Sequence, residues 1–78
     1  MRASKAIRFQ IHAKRRMAQR GVSEEQVRRV IRDPDQIRPA KRNYAIRLEK
    51  KLSKRKRLCV IADDQGRNTT WVISAFWM

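Results

Sequence analysis

A length of 78 residues with 41% hydrophobic residues, two glycines and two prolines describes one folded domain with a thin core, not two cores and not a disordered tail. Lysine and arginine number 21 against 7 acidic residues, giving a net charge of +14 and an isoelectric point near 11.6. One cysteine and one histidine exclude an internal disulfide and argue against a metal site, no cofactor is implied, and no apolar run approaches the roughly 20 residues of a membrane span.

Self-repulsion among so many cations costs stability, and a phosphate-rich partner relieves it. Nucleic acid or the ribosome is the leading expectation from charge, which gives affinity and not identity. An acidic protein partner would meet the same charge. Residues 1–9 start basic but lack the apolar centre and small-residue cleavage site of a secretory signal, so the expected compartment is the cytoplasm. The domain is expected to span 1–78, with 1–6 as a frayed tail.

The first patterned stretch runs to Arg20. Phe9, Ala13 and Met17 fall at i, i+4 and i+8 on one helical face, flanked by Ile11 and Ala18, with Lys14, Arg15 and Gln19 on the other side. Ile7, Phe9 and Ile11 also alternate with Arg8 and Gln10, so an extended start competes with the helix for the same residues. Gly21 has no Cβ and suits the left-handed conformation that closes a helix. Ser23 and Gln26 have the spacing of a capping box, and Val22 and Val27 that of a hydrophobic staple. Glu24 and Glu25 lie in the positive first turn of this second helix, and Arg28, Arg29 and Arg32 near its negative end. Val27, Val30 and Ile31 form its apolar stripe. Pro34 stops it by disfavouring helix at Asp33.

Beyond Pro34 the periodicity becomes two. Residues 35–40 read as a connection anchored by Ile37, with a short edge strand as the alternative. Residues 43–49 alternate Tyr44, Ile46 and Leu48 against Ala45 and Arg47, as in a half-buried strand. Residues 50–57 carry six basic side chains and read as an exposed hairpin loop with basic strand ends. Leu58 to Ala62 is a continuous apolar run, expected of a central strand covered by the helices. Residues 63–68 supply turn chemistry, and Thr69 to Trp77, rich in β-branched and aromatic residues, supplies the last strand. The expected fold is α+β: two N-terminal helices packed on a three- to four-stranded antiparallel sheet.

His12-Ala13, Met17, Arg20-Gly21-Val22-Ser23, Val27 and Asp33-Pro34 together resemble the signature of a family of small bacterial domains, the domain of unknown function 4258 type. That family is similar to the RelE, ParE and BrnT toxins. The resemblance spans nearly the whole chain and implies a RelE/ParE-like fold, toxin-antitoxin biology with an acidic antitoxin-like partner and, as in some relatives, ribonuclease activity. The alternative is the same fold as a non-catalytic nucleic-acid or ribosome binding module, or as a protein-interaction domain. Gln10 stands where the family often has threonine, which weakens the cap of the first helix, and Val22 stands in for the commoner isoleucine.

Metal-independent RNA cleavage needs a proton acceptor near the ribose 2′-hydroxyl, a proton donor for the leaving oxygen and cations around the phosphate. His12 is the one histidine, and it shares a helical face with Arg16 and Gln19, with Arg20 one turn past Arg16. The competing reading makes His12 structural, bonded to a strand backbone or packed beneath the sheet. The toxin resemblance implies catalytic groups on the sheet instead: Arg42, Tyr44, Arg47 and Ser74, the last because Ile73-Ser74-Ala75 looks like the final-strand motif of BrnT. Alternation turns Tyr44 toward the core and Arg47 toward the open side, and it leaves Ser74 in the same parity as Val72 and Phe76. Lys14, Arg15, Arg42, Lys50, Lys51, Lys54, Arg55, Lys56 and Arg57 are the expected phosphate contacts. Trp71, Phe76 and Trp77 are either base-stacking or core aromatics, and Cys59 reads as a buried hydrophobe.

Overall fold

The computed structural model describes residues 5–40, 45–66 and 68–78. In chain order the elements are β1 (Ala6–Phe9), α1 (Ile11–Arg20), α2 (Glu24–Arg32), β2 (Gln36–Pro39), β3 (Ala45–Ser53), β4 (Lys56–Asp63) and β5 (Thr69–Trp77). The strands form a single sheet in the order β1-β5-β4-β3-β2. Both helices lie on one face of it.

The helix boundaries follow from local chemistry. Gly21 takes φ 68°, and the Val22 N–H donates to the Met17 carbonyl at 2.8 Å, so α1 ends in a Schellman closure. Ser23 and Gln26 exchange side-chain-to-backbone bonds of 3.0 and 3.1 Å, the full capping box, at the start of α2. The start of α1 has no such device: Gln10 caps it without a side-chain bond. Ala13 and Met17 of α1, with Val27, Val30 and Ile31 of α2, pack on Leu48, Leu58, Val60, Ala62, Val72 and Ala75 of the sheet. Each fully buried Val or Leu side chain contributes about 1.5 to 3 kcal/mol. β4 lies at the centre, with Leu58, Cys59, Val60 and Ala62 all at 0% exposure, as its apolar run requires.

Several expectations need correction. The sheet has five strands and is mixed, because β1 pairs parallel to β5 with Ile7 opposite Thr70 and Phe9 opposite Val72. The alternating residues before Gln10 thus form a strand, and Phe9 packs on the core from that strand, not from α1. Inward-facing Ile7 and Phe9 gain burial there, and the ladder continues through the Ala6 and Gln10 amides, which donate to Asn68 and Val72 carbonyls at 2.9 and 3.1 Å. Lys5 and Ala6 accordingly belong to the sheet edge, with the Lys5 ammonium 3.3 Å from Asp64, while residues 1–4 of the expected tail lie outside the described residues. Ile11 flanks no core and is 73% exposed. Residues 36–39 are the edge strand, and Ile37, 50% exposed, does not anchor them. β3 begins no later than Ala45 and runs on to Ser53, so most of the basic run is paired strand, with Lys54 and Arg55 forming the turn.

One irregularity resolves the parity of the last strand. The β4–β5 register shifts between Ile61 opposite Ser74 and Ala62 opposite Val72, leaving Ile73 as the extra residue of a bulge. Val72 and Ala75 therefore both face the helices. Ser74 and Phe76 both face away.

Candidate functional site

The helices cover one face of the sheet, and the opposite face carries most of the chemistry. By register it holds Arg47, Glu49 and Lys51 of β3, Arg57, Cys59 and Ile61 of β4, and Trp71, Ser74 and Phe76 of β5. Glu49 is its fulcrum. The residue is only 3% exposed, and its carboxylate accepts from Arg47 Nε at 2.9 Å and lies 3.7 Å from Arg57 Nη1. A buried carboxylate is tolerable here because two guanidiniums compensate it. Both arginines are thereby oriented along the face, with a net positive balance.

Arg20 reaches the same face from the end of α1. It continues the buried stripe Ala13-Met17 at i+7, and although the residue is exposed its guanidinium lies over the edge of the sheet. β1 covers only the first half of β5, and Arg20 closes the rest of that edge: Nη1 donates to the Ala75 carbonyl at 2.9 Å and approaches Ser74 Oγ at 3.5 Å. The Arg20 carbonyl in turn accepts the Trp77 indole N–H at 2.9 Å. The guanidiniums of Arg20 and Arg47 lie 5.9 and 5.6 Å from the Phe76 ring centre, cation–π distance from two different elements. Arg20, Arg47 and Ser74 are thus brought together. Arg42 and Tyr44 fall outside the described residues.

His12 and Arg16 do not join this cluster. Both are exposed, and His12 makes no hydrogen bond or ion pair among the described residues, so a role packed beneath the sheet fails. Eight residues at about 1.5 Å each separate His12 from Arg20 along the axis by about 12 Å, and it lies well round the helix from the sheet-facing stripe. Arg15 is also exposed on α1, while Lys14 turns to Glu24 at 4.0 Å.

The basic run divides in two. Lys50, on the helix side, is tied to Asp33 and Asp35 at 3.4 and 3.6 Å and serves the fold. The Lys51 amide donates to Asp35 at 2.9 Å, and this bond, with the Lys50 ammonium, holds the Asp35 carboxyl below its usual range against the opposing effect of desolvation. Lys51, Lys54, Arg55, Lys56 and Arg57, with Met78, line a shallow cavity of about 220 Å³ at the hairpin end of the sheet. Among the described residues Lys51, Lys54 and Arg55 meet no carboxylate, and the Lys56 ammonium lies 5.3 Å from the Trp77 ring. Cys59 is buried, and that burial pushes its thiol pKa up, which disfavours the reactive thiolate.

Glu49 is the member of the site that the sequence reading missed. Its signal is a pair of opposite charges, Arg47 and Glu49, at i and i+2 on one strand face. Arg20 was expected beside His12 and Arg16 on the helix; the signal for its place against the sheet is a cation at the end of an apolar helical stripe. Among the described residues no three His, Cys, Asp or Glu side chains group to hold a metal, and no helix is long and apolar enough to cross a membrane.

The profile of the domain of unknown function DUF4258 matches residues 9–77, which takes in both helices and the four strands after them. No curated protein and no solved structure matches the chain. A match over 69 of the 78 residues leaves no ambiguity, and the chain belongs to the DUF4258 family.

Proposed function

We propose that this is a toxin-type RNA-binding domain of RelE/ParE-like fold, whose helix-free sheet face takes up a phosphodiester chain. The observation that carries the reading is the convergence of Arg20 and Arg47 on Phe76, beside Ser74, in a chain of net charge +14. Guanidiniums suit phosphate because their planar donors bind its oxygens in pairs, and a neighbouring ring offers a base a surface to stack on. The cations of the hairpin extend the same field and position the backbone without reading sequence. An acidic, antitoxin-like partner would dock by neutralising this face.

Metal-independent cleavage is the activity that the toxin resemblance implies. The open face supplies cations for a phosphorane-like charge in Arg20 and Arg47, and a hydroxyl in Ser74. One titration with end-labelled RNA at several salt concentrations reads binding and cleavage together. We expect affinity that falls steeply with salt, and a loss of about ten- to 150-fold in Arg20→Ala or Arg47→Ala, in line with about 1.5 to 3 kcal/mol for a charged contact. Retention of no RNA in dilute buffer would sink the reading. Cleavage that survives His12→Ala at full rate would assign the chemistry to the sheet and not to the helix.

A further inference from the structure

Taking the open face as the RNA surface, as the preceding reading does, the two aromatic rings on it, Trp71 exposed and Phe76 half-buried, say which form of RNA fits. The three candidate aromatics of β5 are sorted by the bulge at Ile73. Trp77 falls on the helix side, packs on the core and gives its indole N–H to Arg20. Trp71 lies opposite Asp63 of β4 and Arg8 of β1, in the parity that faces away from the helices, and remains 42% exposed. Phe76 lies opposite Cys59 on that same face. Each ring has cationic company: Arg8 is the cross-strand neighbour of Trp71, and Arg20 and Arg47 flank Phe76.

The register also sets how far apart the two rings stand. Trp71 and Phe76 are opposite Asp63 and Cys59, four residues apart on β4, hence about 13 Å at about 3.3 Å per residue. Bases in a duplex repeat every ~3.4 Å along a strand and present only their edges, so a duplex cannot lay base faces on both rings. A single strand can, because its unpaired bases splay outward while its phosphates follow the arginines.

We propose that Trp71 and Phe76 are two base-stacking platforms for one single-stranded RNA segment, with Arg8 serving the phosphate near the first and Arg20 and Arg47 the phosphates near the second. Stacking makes the site tolerant of base identity, since every base has a π-face.

The test compares an end-labelled oligouridylate of about eight nucleotides with a blunt RNA duplex of equal length, a size within the range such grooves cover. With the unaltered domain, we expect the single strand to bind at least about tenfold more tightly and to quench tryptophan emission. Trp71→Ala and Phe76→Ala should each weaken the single strand about five- to a hundredfold while leaving the slope of affinity against salt unchanged, because every cation that meets a phosphate is still in place. Trp71→Phe should restore most of the affinity. Trp71 is exposed, so its variants report even if Phe76→Ala fails to fold. Equal affinity for the duplex, or a single strand indifferent to Trp71→Ala, overturns the stacking platforms while leaving RNA binding in place. Failure of both probes to bind overturns the RNA reading and this inference with it.

Discussion

Glu49 holds the site together while opposing its function. Its carboxylate orients Arg47 and Arg57 at 2.9 and 3.7 Å, yet it also cancels part of their charge. Glu49→Gln keeps the size and removes the charge, so stability and binding should move in opposite directions. We expect a loss of about 1 to 3 kcal/mol, because a buried carboxylate with charge-assisted bonds is replaced by an amide that cannot satisfy two guanidiniums. RNA affinity should rise, since the net charge moves from +14 to one unit higher and two guanidiniums are released toward phosphate. Urea melts and an RNA titration on the same sample measure both; weaker binding by a folded variant would mean that the ligand lies elsewhere. The same residue scale explains Arg20. A cation in line with Ala13 and Met17 survives in a core stripe only because it sits at the end of α1, where its guanidinium escapes to the uncovered part of the β5 edge.

Among the elements, the short connection between the helices determines how both lie on the sheet, and it does so with two devices of comparable size. The Ser23–Gln26 capping box satisfies amides that α2 would otherwise leave open, and Ser23→Ala should cost about 1 kcal/mol. Gly21→Ala should cost about 1 to 2 kcal/mol. An added Cβ there would meet nothing within 4 Å, so the whole penalty is backbone strain at φ +68°. Thermal melts should show each variant lower by about 4 to 8 °C per kcal/mol for a domain of this size; a Gly21→Ala protein that melts unchanged would mean that α1 can end in another way. Because Arg20 precedes Gly21 directly, the same variant should also perturb the guanidinium at the site. The strands contribute through register. Without the bulge at Ile73, Val72 and Phe76 would share a face, and one of them would be misplaced.

Over the whole molecule the charge is distributed by duty. Lys5, Lys14, Lys50 and Arg28 are absorbed by Asp64, Glu24, Asp33 and Asp35, and these ion pairs tie elements together or brace a helix. The hairpin end keeps its cations for solvent or a ligand. Removing Lys54 and Arg55 together, both in the exposed turn and, among the described residues, both without a carboxylate, should leave stability within about 0.5 kcal/mol. It should reduce the slope of log affinity against log salt by about 0.7 for each phosphate of a single strand that those two cations neutralise. An unchanged slope would remove the turn from the interface. Lys50→Ala, by contrast, should act on stability, since that side chain faces the helix layer.

The elements with local causes were legible in the residues. A glycine stop, a capping box and a proline brake act over a few positions, so α2 and the end of α1 follow from spacing alone, and the apolar run 58–62 marked the central strand. The strand at 6–9 was ambiguous because Phe9 satisfies both periodicities; only burial beside β5, about 60 residues away in the chain, selects strand over helix. The same holds for the site. Arg47 was assigned to the open side by simple alternation, but Ser74 and Phe76 needed a bulge that no local pattern encodes, and Arg20 needed a half-covered strand edge to reach. His12, the residue with the most suggestive chemistry, was left in solvent, because a helix face predicts which side chains are neighbours but not which of them meets the sheet. Charge and secondary structure are properties of the chain read locally; which cations converge depends on contacts between residues far apart in it, and those exist only once the layers pack.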